Sequence, residues 1–504
     1  MRMTTRCRAA GITMAATLLL GACSGATTTG SGAGGTPSGS GPGGTGPDGT
    51  AAGAPAPDLP ACPVDALAAA NGPVEIVLWH SLSAKPAEAI NAAAERYNAS
   101  QTKVHLRVEK QGVAYAELLR KYESAMQSRS LPDLVITEDT ATRFMIDSDT
   151  VLPAESCLRA TGRSKGDYVP TAVDHFSLDG VLYPASANLS DILTYYNKNH
   201  FRRAGLDPDK PPTTLAEVRA DAEKIKAAGV ADKPLVLKLD SWFIETQLTG
   251  DRQPIVDNDN GRGPGATSAA TFDTARTVEL FTWIKQMHRD GLLEAVPFAE
   301  GNIDHVLAMG AQKSSMSVES SAAATSVQAF LRGDTTVAGG ADTGAIDVNG
   351  LDIGAGRVFG VAGPGRAQIG GGAWYLTRTG PAEKQAASWD FMTWWNGTDQ
   401  QVDWHLKSGY LPFVTKAADD PKVKAFWADT PDGRWVAVAY QELKEGVNPD
   451  FTGPLIGAYD KFRPAIRNGL DAMIFKDADP QAAVTQAAQE TTAAVQEYRD
   501  GGFG

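Results

Sequence analysis

The sequence predicts an α/β protein, and three observations carry that expectation. Between residues 74 and 137 apolar strands alternate with amphipathic helices in the order β-α-β-α-β, an order that yields parallel strands covered by helices. Apolar residues make up 42% of the 504 positions and charged residues 21%, enough for a sizeable core in one large two-lobed domain or two to three ordinary ones. Low-complexity sequence rich in Gly, Ser, Thr, Pro and Ala occupies residues 24–61, so the folded part begins near that point.

Each element follows from its pattern. Val74-Glu75-Ile76-Val77-Leu78-Trp79-His80 reads as the first strand. Residues 86–97 place Ile90, Ala93, Ala94 and Tyr97 at helical spacing, and Val104, Leu106 and Val108 alternate as in a strand. Residues 115–126 form a second amphipathic helix. Asp133-Leu134-Val135-Ile136-Thr137 is a short apolar run, the mark of a strand buried on both faces. Further strands are expected at 192–197, 235–239, 316–318, 359–363 and 371–376. Further helices are expected at 198–205, 215–228, 275–290, 303–310, 381–396, 398–408 and 480–498. In open parallel sheets ligands bind beyond the carboxyl ends of the strands. Here those ends are Trp79-His80 and Glu138-Asp139, with the turn before Tyr115 on the same rim.

The N-terminus reads as a targeting segment. Arg2, Arg6 and Arg8 precede an apolar run at residues 9–20, which is too short to span a bilayer. Leu20-Gly21-Ala22-Cys23 then resembles a bacterial lipobox, with Cys23 as the lipid acceptor. An ordinary secretory signal with an incidental cysteine is the alternative. Residues 23–61 cannot bury enough apolar surface to fold and read as a flexible tether. Cys7 leaves with the leader at 1–22, so Cys62 and Cys157 remain as an even pair outside the cytoplasm. A disulfide between them is expected, with two buried thiols as the alternative.

Composition and motifs exclude several functions. The net charge of −13 argues against nucleic acid as the main partner, because phosphate backbones attract basic surfaces. The chain has no G-x-S-x-G and no H-E-x-x-H, and its seven histidines are dispersed without metal-ligand spacing. The G-x-G-x-x-G matches at Gly30 and Gly39 neither follow a strand nor open a helix. Asp257-Asn258-Asp259-Asn260-Gly261 hints at a calcium loop, but Arg262 and Ser268 stand where such a loop needs Gly and Glu. No metal, no cofactor and no catalysis are expected. A secreted hydrolase stays as the alternative from another class, although the paired carboxylates of a glycosidase have no motif to support them.

Four stretches carry a resemblance. They are Leu78-Trp79-His80-Ser81, then Tyr195-Tyr196-Asn197-Lys198 through Gly205-Leu206-Asp207-Pro208 to Pro211-Pro212-Thr213-Thr214, then Gly370-Gly371-Gly372-Ala373-Trp374, and Trp404-His405-Leu406-Lys407-Ser408-Gly409-Tyr410-Leu411-Pro412. Together they span most of the folded chain. The chain resembles the extracytoplasmic solute-binding proteins of bacterial ABC importers, in the large carbohydrate-type class. Within that class it is most similar to the glycerol-3-phosphate and glycerophosphodiester receptors. The resemblance implies a two-lobed periplasmic-binding-protein fold with a ligand cleft between the lobes. Lobe 1 is expected at 62–185 plus 322–371 and lobe 2 at 186–321 plus 372–504, with crossings near 186, 320 and 372. It also implies a receptor held by its lipid at the outer face of the cell membrane. Its partners would be a phosphorylated glycerol or a sugar and the permease subunits, and it would act as a monomer.

The ligand residues of that family correspond here to Tyr115, Glu138, Ser190, Ser320, Gly371, Tyr410 and Arg463, with Trp242 nearby. Their chemistry is consistent. A phosphate group wants a bidentate cation plus neutral donors, which Arg463, Ser190, Ser320, Tyr410 and the Gly371 backbone supply. Glu138 accepts from ligand hydroxyls, and Tyr115 and Trp242 cover carbon faces. A neutral oligosaccharide uses the same aromatics and carboxylate without the arginine, so Arg463 discriminates the two, with a surface ion pair as its alternative role. Gly409 reads as a left-handed helix cap and Pro412 as a block to further helix, which leaves Tyr410 aimed off the helix. Trp389, Trp394, Trp395 and Trp404 at helical spacing read as core, and His80 as a structural hydrogen-bonder.

Overall fold

The computed structural model describes residues 58–338, 346, 348–448 and 451–502. The leader 1–22, Cys23 and the tether up to residue 57 lie outside the described residues. In chain order the main strands are β1 (Val74–His80), β2 (Val104–Lys110), β3 (Leu134–Glu138), β4 (Ser186–Ser190), β5 (Ile192–Asn197), β6 (Leu235–Lys238), β7 (Leu293–Val296), β8 (Met316–Ser320), β9 (Ile353–Arg357) and β10 (Gly370–Thr377). The helices that bear on the site are α1 (Tyr115–Ser128), α2 (Ser241–Gly250), α3 (Thr398–Ser408), α4 (Pro431–Gln441) and α5 (Tyr459–Phe475).

Two sheets result. The first runs β2-β1-β3-β10, with the two-residue strand Val151–Leu152 beyond β10 and β4 also paired to β10. β1 is parallel to β2 and β3, as the β-α-β-α-β order requires, while β10 returns antiparallel. β3 is buried from Leu134 to Thr137 because it lies between β1 and β10. The second sheet runs β7-β6-β8-β5-β9, with β5 antiparallel to both its neighbours.

Each sheet has its own core. Ile76, Leu78, Ile136, Trp374, Phe391, Trp395 and Trp404 belong to the first. Leu235, Leu237, Phe281, Met316, Phe462 and Ile466 belong to the second. Burying one such side chain contributes about 1.5–3 kcal/mol, so each lobe has its own apolar support. Trp389, Trp395 and Trp404 are buried in the first core, with Trp394 packed against it. His80 accepts a hydrogen bond from the Leu82 N–H at 3.1 Å, a structural role. Cys62 and Cys157 form a disulfide, with Cα atoms 5.0 Å apart.

The division of the chain differs from the expected one. β9, expected in lobe 1, is an edge of the second sheet. Buried residues from Ala373 to Val447, expected in lobe 2, pack in the first core. The reason is β10: its pairing with β3 and β4 returns the chain to the first sheet, and the helices that follow cover it. The crossings between cores fall at Asp191, between Ser320 and Ala324, between Ala324 and Val358, between Phe359 and Ala367, and between Val447 and Ile456.

Local differences also have causes. The expected strand at 359–363 is reduced to isolated bridges, Phe359 with Pro364 and Thr214 with Gly360, because Gly360, Gly363, Pro364 and Gly365 keep it turning. Residues 258–260 of the supposed calcium loop are all left-handed, with φ of 53°, 52° and 57°. The Asp257 carboxylate is occupied by the backbone and hydroxyl of Ser268 and by the Ala269 N–H.

Candidate functional site

Strand β10 opens with three glycines, and the site gathers around them. A β-carbon on Gly370 would lie 2.3 Å from Trp242 Cζ2, and one on Gly372 would lie 2.6 Å from the Tyr115 hydroxyl. At Gly371 φ is +117°, and a β-carbon would lie 1.8 Å from the Asn188 carbonyl and 3.4 Å from Ser190 Oγ. Only glycine accommodates both that conformation and that contact. The register completes the set: Gly370 faces Ser190 on β4, and Gly372 faces Glu138 at the end of β3.

Tyr410 reaches the same place from α3. The helix ends at Ser408, and Gly409 caps it in the left-handed region with φ +80°. Leu411 then donates its N–H to the Leu189 carbonyl at 2.7 Å, which pins the turn to β4. The Tyr410 ring stacks on Trp404 with centroids 5.7 Å apart and planes 4° apart. Its hydroxyl lies 3.5 Å from that of Tyr115. Burial raises both phenols above their ordinary range, so both are present as O–H donors. Trp242, at the start of α2, has a buried indole N–H with no acceptor among the described residues.

Arg463 enters from α5, in the second core, and is only 9% exposed. It is no surface residue. Nε and Nη2 donate to the two carboxylate oxygens of Glu245 at 2.8 and 3.1 Å, and Nη1 donates to Glu138 at 2.5 Å. Glu245 lies on α2 and has no exposed surface. Burial raises the pKa of Glu138 and of Glu245, Arg463 opposes the rise, and Asp139 adds to it. Tyr459, one helical turn before Arg463, places its ring 5.5 Å from the guanidinium carbon.

Ser320 stands at the margin of this group. Its hydroxyl accepts the Ala322 N–H at 3.2 Å and keeps its own proton to donate. The turn it caps reaches the Tyr410 segment, because a β-carbon on Gly409 would lie 3.1 Å from the Ala322 carbonyl. Seven of the eight sequence-derived residues thus lie in one linked group, and Ser320 borders it.

Sequence reasoning missed Glu245, Tyr459 and the ion pair of Asp240 with Arg467 at 3.1 Å. A signal existed for the first two. Glu245 is three residues after Trp242, and Tyr459 is four before Arg463; both spacings share one helix face. The helix that carries Arg463 was itself obscured by Pro464 inside it.

The arrangement offers aromatic faces, hydroxyl donors, carboxylate acceptors and one oriented guanidinium, which suits reversible binding of a small polar solute. Comparison with known proteins agrees in class. Residues 92–431 match the family described as bacterial extracellular solute-binding protein. The sn-glycerol-3-phosphate-binding periplasmic protein UgpB of Brucella abortus (strain 2308) is 26% identical over 430 residues, covering 84% of this chain and 93% of the relative. UgpB of Yersinia pestis is 26% identical over 429 residues, covering 83% and 91%. Among solved structures, the GacH receptor of Streptomyces glaucescens GLA.O superposes with a TM-score of 0.68 at 20% identity, over 84% of this chain and 99% of that one. UgpB from Mycobacterium tuberculosis, in complex with glycerophosphocholine, gives 0.66 at 18% identity, over 85% and 100%. These likenesses confirm the two-lobed fold. With the family match spanning well over half of its length, the chain belongs to the bacterial extracellular solute-binding proteins, a family of binders rather than enzymes.

Proposed function

We propose that this protein is the receptor of an ABC importer and captures glycerol-3-phosphate or a glycerophosphodiester. One observation carries the ligand: Glu245 holds the Arg463 guanidinium through Nε and Nη2, which leaves Nη1 turned toward Glu138 at the end of β3. An arginine fixed in this way is suited to bidentate phosphate recognition. The phosphate would take Arg463 in exchange for Glu138, with Ser190, Ser320, Tyr410 and the Gly371 backbone around it. Glu138, once released, would accept from the glycerol hydroxyls, and Tyr115 and Trp242 would cover the carbon chain. The names of the curated relatives support the same ligand class. The receptor would be tethered to the outer face of the membrane through lipid on Cys23 and act as a monomer. Closure of the lobes around the ligand would then present it to the permease.

A sugar is the second reading, and a specific observation favours it. Arg463 is already satisfied by two carboxylates, which leaves an aromatic and hydroxyl-rich surface of the kind oligosaccharides use. A thermal-shift panel separates the two. A specific ligand at about 100 times its Kd adds about 2.7 kcal/mol to stability. A shift with a glycerophosphodiester or glycerol-3-phosphate, and none with disaccharides, supports the proposal. The reverse pattern rejects it in favour of a sugar. Turnover of any of these ligands in the same tube would reject the receptor role.

A further inference from the structure

The charge around Arg463 is fixed unevenly. Glu138 belongs to the first sheet and its side chain is one-third exposed, so its contact with Arg463 bridges the two cores and can be exchanged. Glu245 belongs to the same core as Arg463 and its side chain has no exposure. Its two-oxygen grip on Nε and Nη2 therefore persists whichever way the lobes move. A guanidinium has five N–H donors; Glu245 takes two, and those left free to a ligand lie on the Nη1 and Nη2 ends.

The other cations nearby are engaged elsewhere: Lys238 acts on Glu319 and Asp240, and Arg262, beside Tyr459, donates to the carbonyls of Gly453, Asp174, Ser177 and His175. Arg467 pairs with Asp240 at 3.1 Å, and its guanidinium carbon lies 3.3 Å from the Phe298 ring centroid. Asp139, adjacent to Glu138, faces His175 at 3.5 Å. A ligand phosphate thus meets one cation already paired with Glu245, with Glu138 close by.

We propose that Glu245 is a specificity-determining positioning residue that limits the charge of the bound phosphate. It favours a phosphodiester, with one negative charge, over a phosphomonoester, which carries close to two near neutral pH. The second charge of a monoester has no uncommitted cation to meet and stands near two carboxylates, where like charges repel. This inference rests on the phosphate reading above.

The test is calorimetric titration of the full-length protein near neutral pH with two probes, sn-glycerol-3-phosphate and glycerophosphoglycerol, whose second headgroup is uncharged. Wild type should bind the diester about tenfold or more tightly than the monoester. Glu245→Gln keeps a carbonyl oxygen for Arg463 but removes the charge; it should shrink that ratio by about fivefold or more, through tighter monoester binding. Glu138→Gln, at the more exposed carboxylate, should shrink it in the same direction and serves if Glu245→Gln does not fold. An unchanged ratio in the folded variants, equal weakening of both probes, or a wild type that prefers the monoester overturns the inference while leaving the phosphate reading intact. If neither probe binds wild type and a disaccharide does, the phosphate reading falls and this inference falls with it.

Discussion

Arg463 and Glu138 form an ion pair at 2.5 Å that joins the two lobes, one partner on helix α5 of the second core and the other at the end of β3 in the first sheet. Behind it, Glu245 holds the guanidinium on its far edge. The pair spans the boundary between the first and the second core. It also sets the energetic stakes of that position, because one of the three charges has no contact with solvent.

Arg463→Ala leaves Glu245 buried without its partner. Breaking a buried pair on one side costs about 3–5 kcal/mol, and denaturant unfolding should show a loss of that order. Arg463→Met combined with Glu245→Leu removes both charges and should recover most of it. A single-variant loss below about 1 kcal/mol would place the pair in the class of surface salt bridges, contrary to its burial.

Tyr410→Phe separates packing from hydrogen bonding. The ring stays stacked on Trp404, so the melting temperature should barely change. The missing hydroxyl, 3.5 Å from that of Tyr115, should cost the ligand one hydrogen bond, about 0.5–1.5 kcal/mol or up to about tenfold in Kd. Unchanged ligand affinity would remove Tyr410 from the site.

Gly371→Ala tests the floor of the site. The left-handed φ of +117° alone costs a side-chain-bearing residue about 1–3 kcal/mol, and the Asn188 carbonyl only 1.8 Å from a β-carbon adds a clash. Both stability and binding should fall, as read by unfolding and by titration of the same preparation. Full retention of both would mean that β10 does not take this path.

How much of this was legible beforehand varied with the physics involved. The parallel strands β1 to β3 were readable because burial on one or both faces leaves a period in the chain. The Tyr410 turn was readable because Gly409 and Pro412 restrict the backbone locally. β9 was not, since Gly354 and Gly356 interrupt any apolar pattern. The assignment of 373–447 to the first core depended on β10 returning antiparallel, a non-local pairing with no local signal. Glu245 was missed for a related reason: in the sequence it is one polar residue among several on its helix, with Ser241, Thr246, Gln247 and Thr249, and its role appears only when Arg463, 218 positions later, folds onto it.

The disulfide closes a loop with a sequence separation of 95. Constraining a loop of that length in the unfolded chain stabilises the fold by about 4–5 kcal/mol at most. Cys62→Ser with Cys157→Ser should lower the unfolding midpoint accordingly, without loss of ligand binding, because neither cysteine is among the site residues. An unchanged midpoint would show that the bridge does not form in the mature protein.

The last prediction concerns the first crossing between the cores. Asp191 is the single residue between β4 and β5, it is fully buried, and its N–H donates to Ser321 Oγ at 3.1 Å at the second crossing. Glu442, also fully buried, follows α4. Among the described residues neither carboxylate accepts a hydrogen bond of normal geometry, and Arg357 comes no nearer to Glu442 than 4.0 Å. Burial pushes Glu442 up to about 8, with Arg357 opposing. Burial, with Glu442 adding to it, pushes Asp191 well above its ordinary range. The folded state therefore holds protons that the unfolded state releases. Raised carboxylates contribute stability that is fully present below their unfolded pKa and is lost as pH rises through the folded value. Unfolding free energy should thus decline between about pH 5 and pH 8, by up to about 1.4 kcal/mol per pH unit for each proton involved. Glu442→Gln should flatten that decline, because a neutral amide gives up no proton. If wild type and variant show parallel pH profiles, the pair is not protonated in the folded protein.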